Sequence, residues 1–499
     1  MRGKPNYDKM TTSGTMPDMD PIAEIARLRA ENDALRLQLQ VALETIKGMK
    51  QRQEELEAQL GQDSHNSNWP SSRDKGRKAK RTRSLRQKSG KKAGGQVGHP
   101  GRTLEMVAKP DHVVVHRPAQ CAHCAQELPD WAKNLAVERR QVVDIPPLRV
   151  EVTEHQVQHV RCPACQQATK GSFPAIATRP IQYGPIMRGL CVYLNQHHLL
   201  PLERLIRALN DLLSVSVSPG SVNRWVEQAG TQVTPAVATI KTGLQRAIVL
   251  HNDETGVYIN GNRYWLHVAS TPNLTYYFPH TKRGKAGMLA MGVLPQFHGR
   301  SIHDSWAAYA TFPCQHGLCN AHHLRELTYL EEEFHQTWAS DFKTLLLDGK
   351  DLVDRARQQG HSALSPEQLQ TYEKRYKDLI NQALTATSPP PEGWSKGKRG
   401  RPKKTKARNL AERLDTQREA VLAFVYDFTV PFDNNLAERD IRMLKVQQKI
   451  SGCFRSWTGA EAACNLRSYL STMRKQGHSV YEVLCDLFAG NIRAPCTAY

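Results

Sequence analysis

Two stretches of this 499-residue chain cannot bury a core, and they decide how the rest can fold. From Arg73 to Arg102 there are twelve Lys and Arg against one acid, Asp74, and from Lys396 to Arg408 there are eight and no acid. Together they carry +19 of the formal net charge of +20, so the remainder is close to neutral, as expected of folded domains with two basic arms attached. The first arm ends in a run of glycines from Gly90 to Gly101 and reads as a flexible basic linker over residues 62–108. Such arms neutralise phosphates and give affinity without sequence selectivity. Arg77, Lys78, Lys80 and Arg81 are therefore candidate DNA contacts, with a solvated spacer as the plainer reading. The second arm follows Ser388-Pro389-Pro390-Pro391 inside an amphipathic helical stretch. Its Arg399-Gly400-Arg401-Pro402 has the form of a minor-groove hook, so Arg399 and Arg401 are candidates too; a basic loop touching phosphates is the alternative.

Composition narrows the class further. No stretch approaches the length of a membrane span, and the polar start, residues 1–20, reads as a disordered tail with neither signal peptide nor anchor. The expectation is a cytoplasmic, nucleoid-associated protein with no membrane partner. Eleven cysteines are an odd number, which suits a reducing compartment better than a disulfide framework. Four of them form Cys121-Ala122-His123-Cys124 and Cys162-Pro163-Ala164-Cys165. Two such knuckles suit a closed tetrahedral structural Zn²⁺ site, held by Cys121, Cys124, Cys162 and Cys165 in a zinc ribbon over 109–178. A strand-like Val150–Val160 leads into the second knuckle, and the long spacing between knuckles implies an inserted hairpin. Four reduced cysteines without metal are the alternative.

From residue 21 to 61 a heptad is sustained. Ile25, Asn32, Leu39, Ile46, Gln53 and Leu60 fall at one seam position, and Leu28, Leu35, Ala42, Met49 and Leu56 at the other. A seven-residue apolar repeat makes a left-handed coiled coil, and Asn32 in the seam favours a parallel, in-register pair. The expected partner is a second copy, as a homodimer or higher oligomer; a helix lying on the protein's own surface is the alternative. Residues 179–240 read as helix-turn-helix-like. Ser218-Pro219-Gly220-Ser221 caps a second helix that would present Ser221, Asn223 and Arg224 to DNA, although any small helical subdomain would show the same pattern.

Three distant stretches carry acids in a telling context. Val249 to Asn252 and Arg300 to His303 are short runs with β-branched residues, each ending on an aspartate, Asp253 and Asp304, as a buried strand does when it delivers a carboxylate to a sheet edge. In the third, Asp433-Asn434-Asn435 opens a helix on which Glu438, Arg442 and Lys445 share a face. Carboxylates that meet suit magnesium, a hard cation that keeps part of its water shell. Two such ions clamp both ends of an in-line phosphoryl transfer. Arg442 and Lys445 would then lie beside the strand being cut. Each acid also has a plain reading as a turn or cap residue.

The words around these acids extend the argument. Asp253-Glu254-Thr255-Gly256 with Tyr264-Trp265-Leu266-His267-Val268, His303-Asp304-Ser305-Trp306-Ala307-Ala308-Tyr309, Cys319-Asn320-Ala321-His322-His323-Leu324-Arg325 and Asp433-Asn434-Asn435-Leu436-Ala437-Glu438-Arg439-Asp440-Ile441-Arg442 resemble the transposases of the insertion sequence 66 family, over nearly the whole chain. The resemblance implies an α/β ribonuclease H-like core with an Asp, Asp, Glu triad at Asp253, Asp304 and Glu438. That core would run over 241–330 and 425–490, split by a helical insertion with a basic loop at 331–424, before a tail at 491–499. Glu331, Glu332 and Glu333 are rivals for the third acid, being nearer Asp304 in sequence. Two Mg²⁺ or Mn²⁺ per site are implied, along with cleavage at terminal inverted repeats, transfer to target DNA, and small accessory proteins of the same element. Cys319 and His322 match a Cys-x-x-His element of the family, read here as supporting the metal ligands rather than binding zinc. A DNA-binding regulator without catalysis and a structure-selective nuclease are the rival functions.

Overall fold

The computed structural model describes residues 21–60, 103–387 and 404–497. The chain forms two compact units, one of residues up to 81 with 320–426, the other of 82–319 with 427–499.

The heptad forms a single helix, α1 (Pro21–Leu60), whose apolar seam lies open from Ile25 to Met49. After it, residues 103–184 are largely irregular around two knuckles of the same build. Cys121 N–H donates to Gln126 O (2.8 Å) and Ala125 N–H to Cys121 O (2.9 Å), and Cys162 and Gln166 repeat the pattern with Gln167 and Cys162 at the same distances. Ala125 and Gln166 both take a left-handed backbone, at φ 58° and 60°, which turns the chain back on itself. The strand expected over Val150–Val160 is much shorter. Only β1 (His159–Arg161) pairs, antiparallel, with β2 (Ala168–Lys170) around the second knuckle. Val150 and Val152 are exposed, and a strand with no face to bury gains little from its side chains.

Helices α2 (Pro185–Val192), α3 (Leu202–Leu213), α4 (Pro219–Gln232) and α5 (Thr234–Gln245) lead into the sheet. Strands β3 (Val249–Ile259), β4 (Asn262–Ser270) and β5 (Thr275–His280) form an antiparallel meander, then come α6 (Lys285–Met291), β6 (Arg300–His303) and β7 (Gln315–Leu318). The order across the sheet is β5-β4-β3-β6-β7, with β6 and β7 parallel to β3.

Residues 320–426 make the helical unit: α7 (Asn320–Phe334), α8 (Thr337–Gln358), α9 (Pro366–Ala386), α10 (Lys406–Thr416) and the short α11 (Arg418–Val421) and α12 (Ala423–Tyr426). Ser365 and Gln368 cap α9 reciprocally, in a capping box. Phe342 and Tyr376 meet edge to face at 5.0 Å in its core, and the Tyr376 hydroxyl donates to Leu414 O (2.7 Å).

The chain then returns to the sheet through α13 (Asn435–Ser451), α14 (Trp457–Lys475) and α15 (Val480–Phe488). One sheet face, with Val257, Leu266, Val268 and Tyr277, packs on Ala437, Ile441 and Leu444 of α13 and Ala460 and Cys464 of α14. On the other face Leu250, Ala269 and Tyr276 join one core with Ile240 and Leu244 of α5 and Met288 and Met291 of α6. That core runs on through Val222, Trp225 and Ala229 of α4 to α14 and α15, so the helices before the sheet share its interior.

Candidate functional site

β3 pairs with β6 in register Val249↔Arg300, Leu250↔Ser301 and His251↔Ile302. Carrying that register on two places sets Asp253 level with Asp304, the first residue after β6. The sequence pattern put Asp253 at a strand end; instead β3 continues to Ile259 and only its neighbour stops. The reason is β4, which pairs with β3 from His251 to Ile259 and keeps it extended past the acid. Asp304 opens a turn in which its Oδ1 accepts the Trp306 N–H (3.0 Å).

Alternation along β3 puts Asp253 on the face of Val257, the face that α13 covers. α13 is fastened there at two points. Asn434, at its N-cap, is buried, donating through Nδ2 to Asn252 O (2.8 Å) and accepting at Oδ1 from His251 Nδ1 (2.9 Å). Its backbone N–H meets Cys319 Sγ at 3.2 Å. Further along, Asp440 accepts from Ser270 Oγ (2.7 Å), Thr275 Oγ1 (3.2 Å) and Lys475 Nζ (2.7 Å). Glu438 lies between these two fastenings, in the first turn of α13.

Asp253, Asp304 and Glu438 are all half-buried. Burial pushes the Asp253 carboxyl well above the usual carboxylate range, and the charges of Glu254, Asp304 and Glu438 push it further, against one stabilising N–H from Glu254. The structure thus brings Asp304 and Glu438 within electrostatic reach of Asp253. A buried carboxyl that carries the charges of two further partly open carboxylates is a donor set that a hard divalent cation relieves, so the residues fit such an ion. Glu331, by contrast, sits in the helical unit, where an ion pair with Lys343 holds its carboxyl below the usual range.

The remaining candidates fare differently. Arg442 is exposed on α13. Lys445 is half-buried and donates to Gly256 O (2.7 Å); burial first, then the charges of Arg263 and Lys449, lower its pKa to about 8. Asn223 and Arg224 are exposed on α4, while Val222, Trp225 and Val226 of that helix are buried. Cys319 is buried and receives the Asn434 N–H. In the helical unit, burial and the charges of Arg325 and Arg413 depress His322 to about 3, so it is neutral. At the knuckles, backbone N–H groups lower the Cys121 and Cys162 thiols towards the thiolate, the form that binds zinc. Among the described residues the four sulfurs are not drawn into one cluster. Arg77, Lys78, Lys80, Arg81, Arg399 and Arg401 lie outside the described residues.

Sequence reasoning missed Asn434 as a clamp, Asp440 as an anchor, and the partners of Glu254. The first looked like a turn residue and the second like part of a helix surface; their contacts with β3, β4 and β5 are made 163 to 183 residues away.

Residues 180–462, more than half of the chain and the whole of the sheet with α13, match the model of the Transposase IS66 family. The chain belongs to that family. Its domain is that of a DDE transposase, which implies a divalent metal and action on DNA. Residues 118–166, spanning both knuckles, match the zinc-finger binding domain of transposase IS66, and the Cys pairs of this IS66-family chain fit zinc. Residues 15–105, which include α1 and the first basic arm, match a family of unknown function. No curated protein matches the chain. Among the described residues, no helix of this transposase is long and apolar enough to cross a membrane.

Proposed function

We propose that the sheet with α13 is a ribonuclease H-like core in which Asp253, Asp304 and Glu438 hold two Mg²⁺ or Mn²⁺ ions, and that the chain cuts and joins the ends of an insertion sequence. The observation that carries this reading is the electrostatic influence on Asp253, in β3, of Asp304 just beyond β6 and of Glu438 on a helix distant in sequence. When bound, the ions would supply charge neutralisation at the attacking and leaving oxygens of the displacement. The protein's own part is positional. β3 and β6 fix the two aspartates at one level, and Asn434 and Asp440 seat the helix that carries Glu438. Arg442, exposed one turn beyond Glu438, pairs with a phosphate of the strand being cut.

Two displacements follow from one site. In the first, a water oxygen bonds to the scissile phosphorus, the O3′–P bond breaks, and the proton passes to solvent, leaving a free 3′ hydroxyl and a 5′ phosphate. In the second, that hydroxyl attacks a target phosphodiester and expels the target's own 3′ oxygen. Both are in-line phosphoryl transfers, so no second site is required.

Recognition of terminal inverted repeats is assigned to the exposed face of α4, with Asn223 and Arg224, and to the basic arms through phosphates. Zinc at Cys121, Cys124, Cys162 and Cys165 is structural, and α1 pairs with α1 of a second copy.

The test is a cleavage and joining assay on the element's own ends with Mg²⁺ or Mn²⁺. Asp253→Ala, Asp304→Ala and Glu438→Ala are each expected to abolish both steps while end binding persists. Activity surviving any of the three sinks the triad. Cleavage without joining by the wild type, given paired donor and target, would make the protein a nuclease instead.

A further inference from the structure

Glu254 follows Asp253 directly, but alternation turns its side chain to the opposite face of β3, where only 2% of it is exposed. Its charge is met by two chain segments. Arg283, in the connection between β5 and α6, donates from Nε (3.0 Å) and Nη2 (2.8 Å) to Glu254 Oε1. The Tyr309 hydroxyl donates to Oε2 (2.5 Å). The same guanidinium lies 4.0 Å over the Trp306 ring and 5.2 Å over that of Trp265.

Trp306 and Tyr309 belong to the turn that Asp304 opens. Trp306 N–H donates to Asp304 Oδ1, and the Tyr309 ring stacks at 4.4 Å on His303, the last residue of β6. On the other side, the backbone N–H of Glu254 holds Asp253 Oδ1 at 2.8 Å. The buried Glu254 carboxylate therefore ties the residue beside Asp253 to the turn carrying Asp304, through the Tyr309 hydroxyl and through Arg283 stacked on Trp306, from the face of the sheet opposite the acids. Removing one partner of a buried ion pair leaves an uncompensated buried charge, so the contacts hold together or fail together.

We propose that Glu254, Arg283 and Tyr309 form a clamp that sets the separation of Asp253 and Asp304, and through it the affinity of that pair for a divalent cation. These are positioning residues, and the inference rests on the reading that Asp253 and Asp304 are metal ligands. The role of Glu254 is distinct from that of its neighbour: its carboxylate is taken up by Arg283 and Tyr309 rather than by a metal ion.

The test compares the full chain with its Tyr309→Phe, Arg283→Lys, Glu254→Gln/Arg283→Met and Asp253→Ala variants. Mn²⁺ binding is followed by the electron paramagnetic resonance of the free ion, and cleavage of an element end is measured against Mn²⁺ concentration. Tyr309→Phe keeps the ring stack and loses only the hydroxyl; Arg283→Lys keeps the charge and loses the fork. Both are expected to bind Mn²⁺ about 10–100-fold more weakly, as loss of a contact behind a metal ligand does, with cleavage restored at saturating Mn²⁺ and metal-free end binding unchanged. The double variant removes both charges at once, so it keeps its melting temperature but still binds Mn²⁺ weakly. Wild-type Mn²⁺ affinity in Tyr309→Phe and in the folded double variant overturns the clamp. Wild-type Mn²⁺ affinity in Asp253→Ala would instead remove the metal reading beneath it.

Discussion

Asn434 is buried, and its amide and backbone N–H reach β3 and Cys319 at the point where the last acid-bearing helix begins. Asn434→Ala strands the Asn252 carbonyl and the His251 imidazole without a replacement partner, so a loss of about 2–4 kcal/mol is expected in urea denaturation. Cleavage should fall more steeply than end binding, because Glu438 is carried by the turn that Asn434 fixes. Lys445 gives a pH signature of opposite character. Its folded pKa of about 8 lies below the ordinary 10.5, so between those values the unfolded chain keeps a proton that the folded chain has released. Stability should therefore rise with pH across that window, from a cost fully present below it, and Lys445→Met should remove this rise from the wild-type curve. That Asp253 and Asp304 are carried by buried strands was legible in the sequence, because an apolar run leading to an acid is a local signal. Asn434, Asp440 and Lys475 were not, since a turn residue, a helix-surface acid and a terminal lysine look alike whether they face water or a strand folded back from far away.

At the scale of elements, α4 shows why helix-turn-helix is hard to read from pattern alone. Its apolar residues join the core beneath the sheet and α14, and Gly230 meets α14 so closely that a Cβ there would lie 2.4 Å from Ala462 O. Gly230→Ala should cost about 1–3 kcal/mol, the price of overpacking, as read by chemical denaturation. Arg224→Ala on the exposed side of the same helix should leave stability within about 0.5 kcal/mol while weakening binding to the element's ends. A recognition helix needs an outward polar face, and any packed amphipathic helix has one; the distinction lies in partners that periodicity does not name. The start of β3 at Val249 and the span of β6 were legible, each a short run with β-branched residues that leads to an acid. The extent of β3 beyond Asp253 was not, because polar residues there are kept extended by pairing with β4 rather than by their own preference. The opposite error arose at Val150–Val160, where high β-propensity finds no partner along most of its length.

For the molecule as a whole, α1 poses the plainest physical problem. Ile25, Leu28, Leu35, Leu39, Ile46 and Met49 are each at least half exposed along a 40-residue helix, and among the described residues no other stretch of regular structure gathers such a stripe. Burying one such side chain is worth about 1.5–3 kcal/mol, so the stripe gains far more from a partner than from water. The seven-residue repeat selects a matching helix rather than a flat surface, and Asn32 in the seam aligns with itself only when two copies lie parallel and in register. The full chain is accordingly expected to sediment as a dimer or larger at micromolar concentration, with Leu35→Lys/Leu39→Lys reducing it to monomer. Asn32→Leu should raise the melting temperature of the assembly while admitting other registers and subunit numbers. If two copies bring the two ends of an element together, the monomeric variant should still cut a single end yet lose joined products that require both. A wild-type chain that sediments as a monomer, or a Leu35→Lys/Leu39→Lys variant that joins paired ends as well as the parent, would show that α1 serves some other purpose.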